Sequence, residues 1–253
     1  MINSVLKAVE LLESFSPEYP RRTLADFAEI TGYPKTTIYT LAATLVKTGL
    51  LEKSADSYSL GKAVIRMTQS VLINVELRDR AAPILRELAD RTRESVYLTV
   101  PDGRQVLYTY AIESTHRLAA RSALGDHAYY HSTSVGKAIL AFMDADDRSR
   151  LLDATGLPAV TPNTITDRAT LETELADTRA RGYSIDRSEN ELGTFCLGAP
   201  IYDNNRGVIA SCSVSGNSER VVTDLLSTFE PVLLDAADQI SRRMGYVPLR
   251  VRG

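Results

Sequence analysis

At 253 residues, with 44% hydrophobic and 24% charged side chains, the chain has room for one small and one ordinary domain and the composition of a soluble globular protein. No apolar run approaches the roughly 18 residues of a membrane span, and the first residues lack the long apolar core of a signal peptide, so a cytoplasmic protein is expected. The net charge of −3 argues against a large basic nucleic-acid surface, and two cysteines, Cys196 and Cys212, make neither a disulfide framework nor a metal-ligand spacing.

Residues 3–15 carry Val5, Leu6, Val9, Leu12 and Phe15 at helical spacing, and two prolines, Pro17 and Pro20, end the pattern. Thr23, with Asp26 three residues on, predicts the capped start of a helix that buries Leu24, Phe27, Ala28 and Ile30. Residues 31–34 read as a turn. Pro34 then suits the first turn of a second helix over 35–47, whose inward stripe is Ile38, Leu41, Leu45 and Val46. Gly49 stops it, and residues 50–60 read as two short strands around a polar tip. Helix, turn, helix and hairpin is the layout of a winged DNA-reading head.

Charge placement refines that reading. The first 60 residues hold six Lys/Arg against seven Asp/Glu, yet none of the acids falls between positions 31 and 51. Lys35, Thr36, Tyr39, Thr40 and Lys47 share the outward face of the second helix, and Arg21 and Arg22 precede the first. The candidate DNA-facing set is Arg21, Arg22, Lys35, Thr36, Thr37, Tyr39 and Thr40. Such a surface is small, so affinity should come from pairing two copies. The plainer reading of the same pattern is a three-helix core with a solvated, Thr-rich face.

Helical spacing resumes over 61–75, and a further helix is expected over 77–93 with Ile84, Leu85, Leu88 and Ala89 inward and Pro83 at its start or at a kink. From position 95 the period changes to that of strands: 96–100 and 105–112 joined by a turn at 101–104, then 116–122. Helices follow at 134–142, 146–154 and 167–181. Strands at 183–185, 195–202 and 207–215 come next, the last two joined by the hairpin turn Asp203-Asn204-Asn205-Arg206-Gly207. A helix over 225–244 closes the chain. The expected class is α+β. The expected division is a winged helix-turn-helix domain at 1–60, a linker helix at 61–76 and an effector-binding and oligomerisation domain at 77–253.

Three stretches of the second part carry chemistry. In residues 207–216, Val208, Ala210, Cys212 and Val214 alternate with Ser211, Ser213 and Ser215, which is either an ordinary solvated strand face or a row of hydroxyls lining a pocket. His131-Ser132-Thr133-Ser134-Val135-Gly136-Lys137 opens a short helix capped by Ser132 or Ser134, where first-turn N–H groups can hold an anion and Gly136 permits close approach. Asp186, Glu189 and Glu191 lie just ahead of Cys196, in a loop whose acids are ordinarily solvated and beside a thiol that is ordinarily packed. The pair Ser134 and Lys137 matches the S-x-x-K of penicillin-binding enzymes, but no S-D-N or K-T-G follows. Gly136-Lys137 lacks the earlier glycine of a P-loop. His116, His127 and His131 offer no zinc ligand set, and Cys196 has no His and Asn framework. Neither metal, cofactor nor enzymatic activity is expected.

In order along the chain, Leu24-Ala25-Asp26-Phe27-Ala28 with Gly32 to Tyr39, His131 to Ala141, Arg181 to Asp186 with Gly193 to Ile201, and Ala210 to Gly216 together resemble the IclR family of bacterial transcriptional regulators over nearly the whole length. The resemblance implies a GAF-like effector domain, assembly as a homodimer or as a tetramer built from dimers, double-stranded operator DNA as partner, and a small-molecule carboxylate effector. Carried over position by position, it implies an effector site at Ser134, Val135, Asp186, Cys196, Ser213 and Ser215. Where relatives often carry Arg after Tyr39 this chain has Thr40, and Arg187 and Ser188 stand where an acid pair is usual. Tyr129 and Tyr130 are expected to add aromatic surface to the pocket, leaving room for an aromatic acid as well as a short oxo acid. The expected function is an operator-binding regulator switched by such an acid. The alternatives are a metabolite-binding protein without DNA activity, or a hydrolase using Ser134 with Lys137 or Cys196.

Overall fold

The computed structural model describes residues 2–16, 19–68, 72–114 and 124–248, and divides into two compact units, 1–75 and 76–253. Among the described residues no helix is long and apolar enough to cross a membrane.

The first unit holds α1 (Asn3–Glu13), β1 (Arg22–Thr23), α2 (Leu24–Thr31), α3 (Lys35–Lys47), β2 (Leu51–Ser54), β3 (Ser57–Leu60) and α4 (Lys62–Thr68). Its core is Leu11, Phe27, Ile38, Ala42, Leu45, Leu51 and Tyr58, with the Phe27 ring edge-on to Phe15 at 5.7 Å between centroids. Thr23 and Asp26 form the expected capping box: the Thr23 side chain accepts from Asp26 N–H, and Asp26 accepts from Thr23 N–H. Pro34 is the cap residue itself, one position before the first helical turn expected for it. The hairpin β2–β3 is the wing, and β1 joins it as a third antiparallel strand that the sequence pattern did not reveal. Gly49 takes φ 76, and Gly61 packs so closely on the Gly49 carbonyl that a Cβ there would overlap it, which fixes the wing's root to the end of α3.

The inward assignment of Ile30 fails here, and three residues of the apolar α1 pattern face outward too. Val5, Leu6 and Val9 are exposed while Leu11 is fully buried, because the core meets α1 on a face rotated from its most apolar stripe. Ile30 is half exposed as well. All four leave apolar surface on the outside of the unit.

The second unit is built on a six-stranded antiparallel sheet. Its strands are β4 (Ser95–Asp102), β5 (Gln105–Ile112), β6 (His127–Ala128), β7 (Ser184–Arg187), β8 (Phe195–Tyr202) and β9 (Val208–Gly216), in the order β6-β5-β4-β9-β8-β7. The strand expected over 116–122 lies outside the described residues. Helices α5 (Leu72–Thr92) and α9 (Leu226–Arg243) cover one face through Leu77, Leu85, Leu88, Phe229, Leu233 and Ile240. The expected break between a linker helix and a second helix at 76/77 falls inside α5, and Pro83 is interior to that helix. Helices α6 (Ser134–Phe142), α7 (Ala145–Thr155) and α8 (Arg168–Arg181) cover the other face through Ile139, Leu140, Leu152, Leu171 and Leu175.

Strand β9 reads both layers. Ala210, Cys212 and Val214 join the α5/α9 core, while Ser211, Ser213 and Ser215 turn toward α6. Val208 breaks the expected alternation and packs on the α6 side, because a register shift opposite Ile201/Tyr202 inserts one residue into β9.

Candidate effector pocket and DNA-reading face

The first turn of α6 forms one wall of a cavity of about 120 Å³, and backbone contact puts it there. Gly136 lies against Tyr130 so closely that any side chain would overlap the Tyr130 carbonyl. Opposite, Gly198 of β8 would place a Cβ 2.6 Å from the Ser134 carbonyl oxygen. Ser184 donates to that same carbonyl, and Ser211 donates to the Val135 carbonyl at 2.9 Å. Two serines therefore clamp the turn onto the sheet, and Ser211 is an anchor, not a lining residue. The cap is Thr133, whose hydroxyl accepts from Gly136 N–H at 3.1 Å, instead of the expected Ser132 or Ser134. Helical geometry leaves the Ser134 and Val135 N–H groups without an intrahelical acceptor at the cavity wall.

All six residues that the resemblance implies for an effector site, Ser134, Val135, Asp186, Cys196, Ser213 and Ser215, line this one cavity. Cys196 donates through Sγ to Ser215 Oγ at 3.1 Å and sits across the β7–β8 pair from Asp186. Asp186 is 3% exposed, and burial pushes its carboxyl up to about 7, with the neighbouring Glu189 charge adding to the rise against the N–H of Glu189 and the Lys137 charge. Its Oδ1 accepts from Glu189 N–H at 2.7 Å. Ser188, at φ 62, reverses the chain so that this bond can close.

The acid loop is not simply solvated. Glu189 is buried, and its Oε1 accepts from the fully buried Lys137 Nζ at 2.6 Å. Glu174 of α8 stands 4.0 Å from the same ammonium and 2.5 Å from Arg181. Thr161 and Thr164 hold the loop by donating to the Ser188 and Glu189 carbonyls at 2.7 and 2.6 Å. His131, buried and bonded to the Pro158 carbonyl at 3.0 Å, has its pKa lowered by burial and by Lys137.

Other lining residues escaped the sequence pattern: Tyr97, Tyr108, Asp126, His127, Asn190 and Thr194. Tyr97 and Tyr108 meet edge-on at 5.5 Å and supply the aromatic surface. Tyr129 and Tyr130 do not line the cavity. Tyr130 is core, and Tyr129 packs on His131. The signal for Tyr97 and Tyr108 was available, since the β4–β5 hairpin places them on facing strands.

In the first unit, Lys35, Thr36, Tyr39 and Thr40 are exposed along α3 and Thr37 is half-buried. Thr40 spends its hydroxyl proton on the Thr36 carbonyl at 3.0 Å, and Thr44 does the same to Thr40. Arg21 is exposed. Arg22 donates through Nε to the Ser14 carbonyl at 3.1 Å and lies 4.4 Å over the Tyr19 ring, so it is committed within its own unit.

Sequence comparison places both units. The family descriptions "IclR helix-turn-helix domain" and "Bacterial transcriptional regulator IclR C-terminal" match residues 4–55 and 69–242. The HTH-type transcriptional regulator XynR of Escherichia coli is 30% identical over 97% of this chain and 98% of its own length. The IclR structure from Thermotoga maritima superposes with a TM-score of 0.81 at 32% identity, covering 97% of this chain and 100% of that one. An IclR homolog from Microbacterium hydrocarbonoxydans, solved in complex with 4-hydroxybenzoate, shares the fold with a TM-score of 0.83 at 23% identity, covering 95% of this chain and 98% of that one. The chain belongs to the IclR family of bacterial transcriptional regulators.

Proposed function

We propose that this regulator binds operator DNA through its first unit and that a small carboxylic acid, bound at the first turn of α6, changes that affinity. The observation that carries the reading is the convergence of six separately placed residues on one cavity with two free helix N–H groups in its wall. Its size favours a small acid, since a cavity of about 150 Å³ holds benzene. The Tyr97–Tyr108 pair adds aromatic surface, which keeps an aromatic acid beside a short oxo acid as the ligand. In the head, Lys35, Thr36, Thr37, Tyr39, Thr40 and Arg21 meet the duplex, with Lys35 and Arg21 on phosphate.

The head spans residues 1–60, the link 61–76, and effector binding and assembly 77–253. A homodimer, or a tetramer built from dimers, supplies the second head, and the exposed Ile2, Val5, Leu6 and Val9 on α1 support pairing of copies. Paired heads then meet half-sites about one helical turn apart. The ligand acts through unequal affinity for the DNA-competent and incompetent arrangements. The protein works in the cytoplasm as a regulator and not as a catalyst, with Lys137 held by Glu189 in place of activating Ser134.

A DNA-binding assay of the full chain against its own upstream region and a random duplex, with and without a panel of small acids, tests this. Preference for the upstream DNA that one acid alters is expected. No preference at moderate salt would refute the DNA reading and favour a metabolite-binding protein, a role that the acid-balanced head would also suit.

A further inference from the structure

The charges around Asp186 leave an anionic ligand with an unusual neighbour. Behind Asp186, Lys137 is matched by Glu189 at 2.6 Å, and Glu174, 4.0 Å from Lys137, is matched by Arg181 at 2.5 Å. Those two cations and two carboxylates balance one another, so Asp186 is the carboxylate left over. On its own strand and loop, Arg187 and Glu191 are exposed. The short 3-10 helix Glu219–Val222 packs on β7 with Val221 and Val222 buried and with Glu219 and Arg220 exposed. Residues 161 and 164, which brace the loop, are threonines. Lining the same cavity are Glu191, Asp126, His127 bonded to Asp102 at 2.7 Å, Tyr97 bonded to Glu113 at 2.7 Å, Tyr108, and Cys196, which is bonded to Ser215 and paired with Asp186 across β7–β8. A carboxylate arriving in about 120 Å³ beside a nearly buried Asp186 puts two like charges in one low-dielectric site. Two such groups cannot both stay ionised, and the more buried one keeps the proton.

We infer that the pocket takes its carboxylate together with one proton, held on Asp186, whose O–H donates to the bound anion. The inference rests on the carboxylate reading of the pocket. Asp186 Oδ1 accepts from Glu189 N–H and the Asn190 N–H also reaches this carboxyl, so the proton is the one donor the group can turn toward a ligand. The Ser134 and Val135 N–H groups and the hydroxyls of Ser213 and Ser215 supply the remaining donors. The balance is simple. Below about pH 7 the acid form is already present and the anion binds alone. Above it, each anion bound draws one proton from solvent. Burial already raises the Asp186 carboxyl and so favours the same protonated state.

Isothermal titration of the full chain with pyruvate, benzoate and 4-hydroxybenzoate, from pH 6 to 9 and in two buffers of different ionisation heat, tests this. Affinity for whichever acid binds should fall roughly tenfold per pH unit above 7, with close to one proton taken up per site at pH 8. Asp186→Asn should flatten the profile, because the amide keeps a donor that cannot ionise. His127→Gln should leave the slope in place. Arginines stay charged throughout the range and give no slope. Binding that is flat in pH, with no proton uptake, overturns the proton coupling and leaves the carboxylate reading standing. A slope lost in His127→Gln and kept in Asp186→Asn overturns it in favour of the imidazole. No binding by any of the acids at any pH overturns both.

Discussion

Helices α3 and α6 open with similar residues and opposite surroundings. The first begins Lys35-Thr36-Thr37 behind Pro34, with no side-chain cap and an exposed face. The second begins Ser134-Val135-Gly136-Lys137 behind a Thr133 cap, and everything from Ser134 to Ala141 is buried. The same types of side chain stand on an open face in one place and against an enclosed cavity in the other. What separates them is how closely the backbone is approached: α3 stands clear, whereas α6 is pressed between Tyr130 and Gly198.

The largest test of that contrast is the pair of lysines. Lys137→Met strands Glu189 in the interior and should cost about 3–5 kcal/mol by urea unfolding. Lys35→Met should change stability by less than about 0.5 kcal/mol. Equal losses would show that the two helices are not differently embedded. Next, Gly198→Ala should cost about 3 kcal/mol, since its Cβ meets a carbonyl 2.6 Å away that the Ser184 and Ser211 clamps keep from retreating.

Asp186→Asn sharpens the picture in the other direction. The Asp186 carboxyl is raised from 3.8 to about 7 in the folded protein, so between those values the folded state holds a proton that the unfolded state has lost. Wild-type stability from this group therefore declines as pH rises through that window and is level above it. The asparagine variant escapes the decline. Its advantage over wild type should grow by about 2.6 kcal/mol between pH 5 and pH 8, read from urea midpoints. A constant difference would mean that Asp186 is solvated.

Smaller effects separate the two ligand surfaces. Replacing Ser213 and Ser215 together by alanine should weaken the effector by about tenfold, or ~1.4 kcal/mol, and leave ligand-free DNA binding alone. Lys35→Ala should do the reverse: unchanged effector affinity, and a salt dependence of DNA binding shallower by about one unit of slope.

The six candidate effector residues came from the family resemblance, and the stretches that hold them were legible because each has its own order: a strand's alternation, a helix start, an acid before a strand. Asp126, His127 and Asn190 were not legible, because they lie in β6 and in loops whose course depends on partners far along the chain. Helix α1 misled for a different reason. Helical periodicity finds the most apolar face, but Leu11 shows that the core of a single copy meets another one. Glu189 illustrates a third limit. A loop acid reads as solvated until the fold brings Lys137 beneath it, across 52 residues.

The turn that walls the pocket is held from behind through main chain, with Gly198 against Ser134 and two serine hydroxyls on carbonyl oxygens. Main-chain surfaces do not mutate. A lineage changing what this sensor answers to has Tyr97, Tyr108, Asn190 and Thr194 to vary, all of them on the walls. The same holds at the bench: a library that leaves the glycines and anchoring serines alone and randomises those four positions should search new chemistries without unfolding the receptor that reports them.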